Sequence, residues 1–548
     1  VGSEMCIRDR TKAIQSYLPD GNPSFVHPTK NSLTNSDAKT LHNNVRATLT
    51  AEKNIGDHNI TVLAGASQEE RHAKNFSAYR DSIDVNYPVL NTGSVANQSV
   101  SGGRDRFVLR SFFARANYNY KQKYLFEFNI RRDGSSRFAK GNKWATFPSA
   151  SVGWRISEEK FMRKLKEKFL DDLKLRVSWG KLGNQNVGSS YYPFTTQMVF
   201  GVTAMGNQVV NMAVFSKMPN SLIKWETTES KDIGLDMTLF NKLNITADYY
   251  QKETRDILLT LPIPYTIGLD APVQNAGVVE NKGWELGITY RDKIGDLQYS
   301  VNFNLSDVKN KITDLRGQNG TGFIANREGH PINSIYGYIA EGYFQSEEEI
   351  ANSATQVGTI KPGDIKYRDL NGDNRINGDD KVVIGSTIPR YTFGLNIGAN
   401  YKGIDLSMFF QGVGKADGYL QGPGIVPFVS GESVGGTVLE EHKDYWTENN
   451  RNAAYPRLAF NESNNNQVST FWLKDASYLR LKNLQVGYTL PVNLTKKWGI
   501  NHLRFFANGT NLFTLDKFWK GYNVEAPTGM VNFYPQVKVY SFGLEVKF

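Results

Sequence analysis

One feature governs what this chain can fold into: a two-residue period that recurs almost from end to end. In "ARANYNYKQKYLFEFNIRR", Ala114, Ala116, Tyr118 and Tyr120 alternate with Arg115, Asn117 and Asn119. After "KQK" the alternation resumes, with Tyr124, Phe126, Phe128 and Ile130 against Glu127, Asn129 and Arg131. Successive side chains of a strand point to opposite faces, so this spacing predicts a tight hairpin with one apolar and one polar face. The same design returns at 283–306, where Trp284, Leu286, Ile288 and Tyr290 are followed, after "DKIGD", by Leu297, Tyr299, Val301, Phe303 and Leu305. It returns again around "YKG", with Phe393, Leu395 and Ile397 before it and Ile404, Leu406, Met408 and Phe410 after it. The chain closes on "KVYSFGLEVKF", with Tyr540, Phe542, Leu544, Val546 and Phe548 on one side and Val539, Ser541, Gly543, Glu545 and Lys547 on the other.

Further segments of this kind lie near 42–51, 58–68, 148–157, 172–180, 231–240, 243–253, 478–490, 502–512 and 536–548, which predicts roughly 14 to 16 strands in meandering hairpins. Every second connection is long and rich in Gly, Asn, Ser and Pro: 76–104, 184–222, 254–280, 310–388 and 413–470. One short helix is expected at 157–169, in a solvated loop. A soluble sandwich also alternates, burying one face and wetting the other, but its strands average about 5–6 residues, and many of these are longer. Trp154, Trp179, Trp284, Tyr290, Tyr401 and Tyr488 stand on the apolar faces near strand ends, where a membrane–water interface favours amphipathic rings. Short turns at one end and long loops at the other complete the layout of an antiparallel transmembrane β-barrel. In such a barrel the aromatic last strand closes the wall, and Phe548 faces lipid.

Composition narrows the classes. Of 548 residues one is cysteine, Cys6, so there is no disulfide framework and no paired-cysteine metal site. The net charge of +10 comes from scattered Lys and Arg, with no basic block, which argues against nucleic acid. Mean hydropathy is −0.45, and no apolar run is long enough for a transmembrane helix, a criterion that says nothing of strands. The opening "VGSEMCIRDR" shares neither period nor composition with the rest of the chain. Residues 1–10 therefore read as a non-native leader or assembly scar, and 11–548 as barrel.

Several stretches go beyond periodicity. They include "NIRRDGSSRFAKGNKWATFPSASVGWRISEEKF" (129–161), "LKLRVSWGKLGNQNVG" (173–188), "IKWETTESKDIGLDMTLFNKLNITADYYQKETRDIL" (223–258), "NAGVVENKGWELGITY" (275–290), "ASYLRLKNLQVGYTLP" (476–491), "FFANGTNLFT" (505–514) and the segment 362–412. In this order, from about residue 40 to the end, the chain resembles the barrel of the SusC/RagA family of TonB-linked outer-membrane transporters of Bacteroidetes. The resemblance implies a barrel of about 22 strands around a plug. It also implies a SusD-like surface lipoprotein over the mouth, an oligosaccharide or peptide ligand, and energy from TonB–ExbB–ExbD through an N-terminal part. That part, with the plug and the first strands, is expected to be absent from this stretch. A passive porin or adhesin barrel is the alternative.

The best chemical motif is "DLNGDNRINGDD". Asp369, Asn371, Asp373, Arg375 (by its carbonyl) and Asp380 take positions 1, 3, 5, 7 and 12 of a calcium loop, a spacing that can wrap oxygens round one structural Ca²⁺. Asn374 replaces the usual Gly and Asp380 the usual Glu. The other reading is an Asx-rich turn. "RRDGSSRF" gathers Arg131, Arg132, Asp133 and Arg137, best read as charges paired at a hairpin tip. Loop aromatics Tyr191, Tyr192, Trp446 and Tyr455 can stack on sugars or pack the loops. No GxSxG, HExxH or P-loop occurs, and the seven His are scattered, so no enzyme is expected.

Overall fold

The computed structural model describes residues 2–8, as backbone, and 31–548 except 85, 187, 189–190, 423, 429–437, 461–462, 527 and 530–532. The expected leader, 1–10, thus lies partly outside the described residues. Its Gly2–Arg8 segment pairs antiparallel along Thr34–Thr40.

The alternating segments assemble into one antiparallel sheet of 16 strands in which each strand pairs with its neighbours in sequence order. Among the described residues the sheet runs from Gly2–Arg8 at one edge to Val539–Lys547 at the other, with no ladder between the two. Two- and three-residue turns join the strands at one end: Ile55 to His58, Tyr120 to Tyr124, Leu239 to Leu243, Ile294 to Leu297 and Tyr401 to Ile404. Their backbone suits them. Lys402 (φ 46°) and Gly403 (φ 88°) carry the two successive positive φ values of a primed hairpin turn, whose twist matches that of the strands. Longer links at this same end run through 156–169 and 490–501. At the opposite end the connections are 82–97, 136–143, 185–225, 261–272, 315–390, 415–477 and 517–538.

The strands are longer than the alternation predicts. Ser32–Ile55 and His58–Asp81 each have 24 residues, and Gln98–Tyr120 has 23. A bilayer crossing needs about 9–11, so these strands continue well past the apolar layer. Beyond it the outward face becomes polar and the two-residue signal fades. The helix expected at 157–169 is only Arg163–Lys166, preceded by two 3-10 turns. The stretch 184–222 contains a separate hairpin, Gln197–Met205 with Gln208–Lys217, and 517–538 is a further long loop that the pattern did not reveal.

Burial is inverted relative to a soluble protein. The apolar face of the wall is exposed: Tyr124, Phe126, Phe128 and Ile130 on one strand, Tyr401, Ile404, Val486, Tyr488 and Phe505 on others. On the last strand Phe542 is 85 % and Phe548 86 % exposed. The accessible surface is 33741 Å², against about 20,000 Å² for a compact soluble protein of this mass. The rows of exposed aromatic and aliphatic side chains on the outward face are stable only in lipid. Tyr391 and Tyr401 bracket an 11-residue strand. At about 3.3 Å per residue and a tilt of about 40° it climbs about 25 Å, the height of an outer-membrane apolar band. The packed core lies elsewhere, among the long loops.

Candidate functional site

The inward face of the wall is where a solute would meet the protein, and ion pairs furnish it. Arg176 bonds Asp236 at 2.8 and 3.1 Å and reaches Asp248 on the next strand at 2.9 Å. Arg504 grips Asp405 through two bonds of 2.9 and 2.6 Å. These groups alternate with outward Leu175, Ile233 and Phe505, so the same period that builds the lipid face places charge inside. Glycine makes room for them. A Cβ on Gly234 would stand 2.2 Å from Asp248 and 2.7 Å from Arg176, and one on Gly487 would stand 2.4 Å from Asp405 and 2.6 Å from Arg504. The inward glycines are thus seats for long side chains of neighbouring strands.

At the loop end the charges of "RRDGSSRF" separate by face. Arg131 turns inward, bonding Asp133 at 2.8 and 2.9 Å and Ser111 at 2.7 Å. Arg132 points outward over the ring of Trp144. Arg137 lies between Phe107 (5.0 Å) and Tyr191 (4.6 Å), and burial pushes its guanidinium below its ordinary range. The expected pairing at the strand end is met for Arg131 and Asp133. Arg132 and Arg137 instead stack on aromatic rings.

Three loops cover this end with one apolar cluster. Ile335, Ile365 and Tyr367 come from 315–390, Tyr419, Leu420, Tyr455 and Trp472 from 415–477, and Trp519 from 517–538. Polar clamps fix the first two together. Asp364, fully buried, holds Arg457 at 2.7 Å and accepts from Asn465 at 2.8 Å. The Tyr367 hydroxyl donates to the carbonyl of Asn464 at 2.7 Å. A second hub ties the third loop to the wall: Arg480, nearly buried, reaches Glu525, Asn523, Gln536 and Thr514, and Lys482 meets Glu525 at 2.8 Å. Sequence reasoning missed these groups, because the partners stand 34 to 101 residues apart and nothing local marks them.

The loop aromatics divide. Trp446 and Tyr455 are buried, Trp446 donating to Gln345 and Tyr455 meeting His442 edge to face. They pack the loops and offer no face to a ligand. Tyr191 stacks on Phe107 and receives a bond from Arg71. Tyr192 keeps 40 % of its surface exposed. The hairpin Gln197–Lys217 projects with Phe200, Val202, Met205, Val209 and Phe215 all exposed.

The loop 369–380 is wound by its own side chains. Asp369 accepts from the backbone N–H groups of Gly372 and Asn374, Asn371 from Asp373, and Asp373 from Arg375, at 2.7 to 2.9 Å. Asn374 takes the left-handed conformation (φ 61°) that Gly takes in a calcium loop. Asp380, fully buried, accepts from Leu370 and Asn377, each at 2.8 Å. Among the described residues no group of three or more His, Cys, Asp or Glu stands in a metal-holding arrangement.

Residues 8–512 match a family model described as TonB dependent receptor-like, beta-barrel. TonB-dependent receptor P3 of Formosa agariphila is 32% identical over 541 residues, which cover 91% of this chain and 52% of that protein. TonB-dependent receptor SusC of Bacteroides thetaiotaomicron is 28% identical over 522 residues, 90% of this chain and 49% of the other. The chain thus spans about half the length of the curated relatives it matches. A solved structure of the RagAB peptide transporter superimposes with a TM-score of 0.81 over 96% of this chain and 57% of that one, at 24% identity, a likeness of fold.

Proposed function

The chain belongs to the TonB-dependent receptor β-barrel family, SusC-like and resident in the outer membrane, and from that premise we propose that it serves energised import of a nutrient ligand, an oligosaccharide or a peptide. The observation that carries this reading is the two-faced wall: apolar outside, lined inside with the ion pairs of Arg176 and Arg504, and covered at the loop end by packed loops. A polar passage under an ordered cover suits capture and release of a soluble ligand better than open diffusion. Binding and passage, rather than bond-breaking chemistry, is what such a surface offers.

The same reading includes a SusD-like lipoprotein over the mouth and coupling to TonB–ExbB–ExbD. The exposed apolar hairpin Gln197–Lys217 supports a protein partner, since isolated two-stranded hairpins are marginal in water. Uptake of labelled oligosaccharides and oligopeptides is to be compared in cells with the gene, without it, and without TonB. Import should fail in both deletions. Uptake that survives the loss of TonB would make the barrel a passive pore.

Two narrower proposals accompany it. Calcium is a structural ion for Asp369, Asn371, Asp373, the Arg375 carbonyl and Asp380. A carboxylate oxygen that accepts one N–H keeps a second lone pair for a cation, and Asn374 already holds the required turn. Ca²⁺ should raise the melting temperature of the protein, and Asp373→Asn should abolish that rise. Residues 1–10 are foreign to the barrel. Sequencing the coding DNA upstream tests this.

A further inference from the structure

The strand Leu297–Asp314 changes character partway. Leu297, Tyr299, Val301, Phe303 and Leu305 share one outward parity, and the same parity then places Asp307, Lys309 and Lys311. Its neighbour Tyr391–Tyr401 stops at this height: Asp307 is the last residue paired with it, opposite Tyr391. Above that point the strand and the loops part and leave a cleft of about 680 Å³. Its lining includes Lys309, Lys311, Lys415 and Lys474 against two carboxylates, Asp417 and Asp475.

The acids are engaged. Asp417 accepts the backbone N–H of Ser386 and Asp475 that of Ser477, each at 2.9 Å. Arg390, also in the lining, is held by Asp307 through two bonds of 2.7 Å. Glu280, opposite Lys311 on the adjoining strand, is taken by Lys282 at 2.7 Å. Among the described residues no carboxylate lies within ion-pair distance of the four lysines. Lys415 lies over the outward ring of Tyr391. Lys474 lies over Trp519, and burial pushes its ammonium below the ordinary range, a cost that an anion alongside would offset.

We propose that this cleft docks the phosphorylated headgroup of an outer-leaflet lipid. Lys309 and Lys311 continue the outward parity of their own strand past Asp307, two and four residues above the level of the interfacial Tyr391, on the headgroup side of the apolar stripe. Long lysine stems can follow the apolar wall while their ammonium groups reach the phosphate. A soluble anion would need no such continuity with the lipid face.

The test uses the protein extracted from outer membranes in mild detergent. Native mass spectrometry follows added lipid A, lipid A stripped of phosphate, and lipid A competed with inorganic phosphate. The parent should retain phosphorylated lipid A and keep it against phosphate. In K309Q/K311Q/K415Q, with its heat-modifiable gel migration unchanged, retention should fall by about a hundredfold, about fivefold for each lysine. Equal retention by the variant, or equal retention of the stripped lipid, overturns the proposal. Displacement by inorganic phosphate also overturns it, because it marks a soluble-anion site.

Discussion

At the scale of single residues, the inner wall depends on what its glycines leave open. Gly234 seats Arg176 and Asp248, and Gly487 seats Asp405 and Arg504. Gly234→Ala forces these groups apart and should cost about 1–3 kcal/mol, as overpacking does. An exposed glycine such as Gly141, with nothing near its Cβ position, should tolerate the same change, and the two melting temperatures decide the matter. Asp405→Asn replaces a charge-assisted pair and should cost about 1–3 kcal/mol by the same measurement. His442 makes a pH prediction. Its Nδ1 accepts the N–H of Leu439 at 3.2 Å, which leaves the proton on Nε2, facing the carbonyl of Ile425 at 3.1 Å. Burial holds its pKa below the usual 6.5, so the unfolded loop binds the proton more readily than the folded one. Stability is therefore fully present above about pH 6.5 and falls as the pH drops below it toward the folded pKa. Protection of the Leu439 amide against hydrogen exchange, taken relative to its intrinsic rate at each pH, should fall over that window, and His442→Gln should remove the dependence.

At the scale of elements, the sequence speaks where contacts are local. The hairpin through Lys402 and Gly403 was legible because a two-residue period on either side of a turn is a property of neighbours in the chain. The outward rings of Tyr401 and Tyr488 were legible for the same reason. The extra length of Ser32–Ile55 was not, since above the apolar layer both faces are polar and alternation carries no contrast. Nor was the loop cluster: Tyr367, Tyr455, Trp472 and Trp519 come together from three loops, and only tertiary packing decides whether a loop aromatic faces a ligand or a neighbour. That is why Trp446 and Tyr455, plausible as sugar platforms, are packing residues instead. The calcium motif was legible as spacing, and its turn geometry follows that spacing closely, but occupancy is a matter of affinity that spacing does not fix. Trp472→Ala should cost the loop cluster about 3–5 kcal/mol. Because the cluster lies outside the apolar band, the wall should stay inserted, while limited proteolysis should newly cut within 315–390 and 415–477.

At the scale of the whole molecule, one period does two jobs. It gives lipid an apolar exterior and gives the passage a charged interior, and the chain keeps its dense core for the loops that cover one end. This division lets specificity vary in the loops while the wall stays fixed. The most direct measurement is collision accessibility of spin labels placed one at a time along Tyr391–Tyr401, in the membrane-embedded protein. Labels at Phe393, Leu395 and Ile397 should collide strongly with oxygen dissolved in lipid, and labels at Gly394, Asn396 and Gly398 weakly, in strict alternation. A profile without alternation, or one in which both sets meet water alike, would contradict a wall with one face in lipid and the other on the passage.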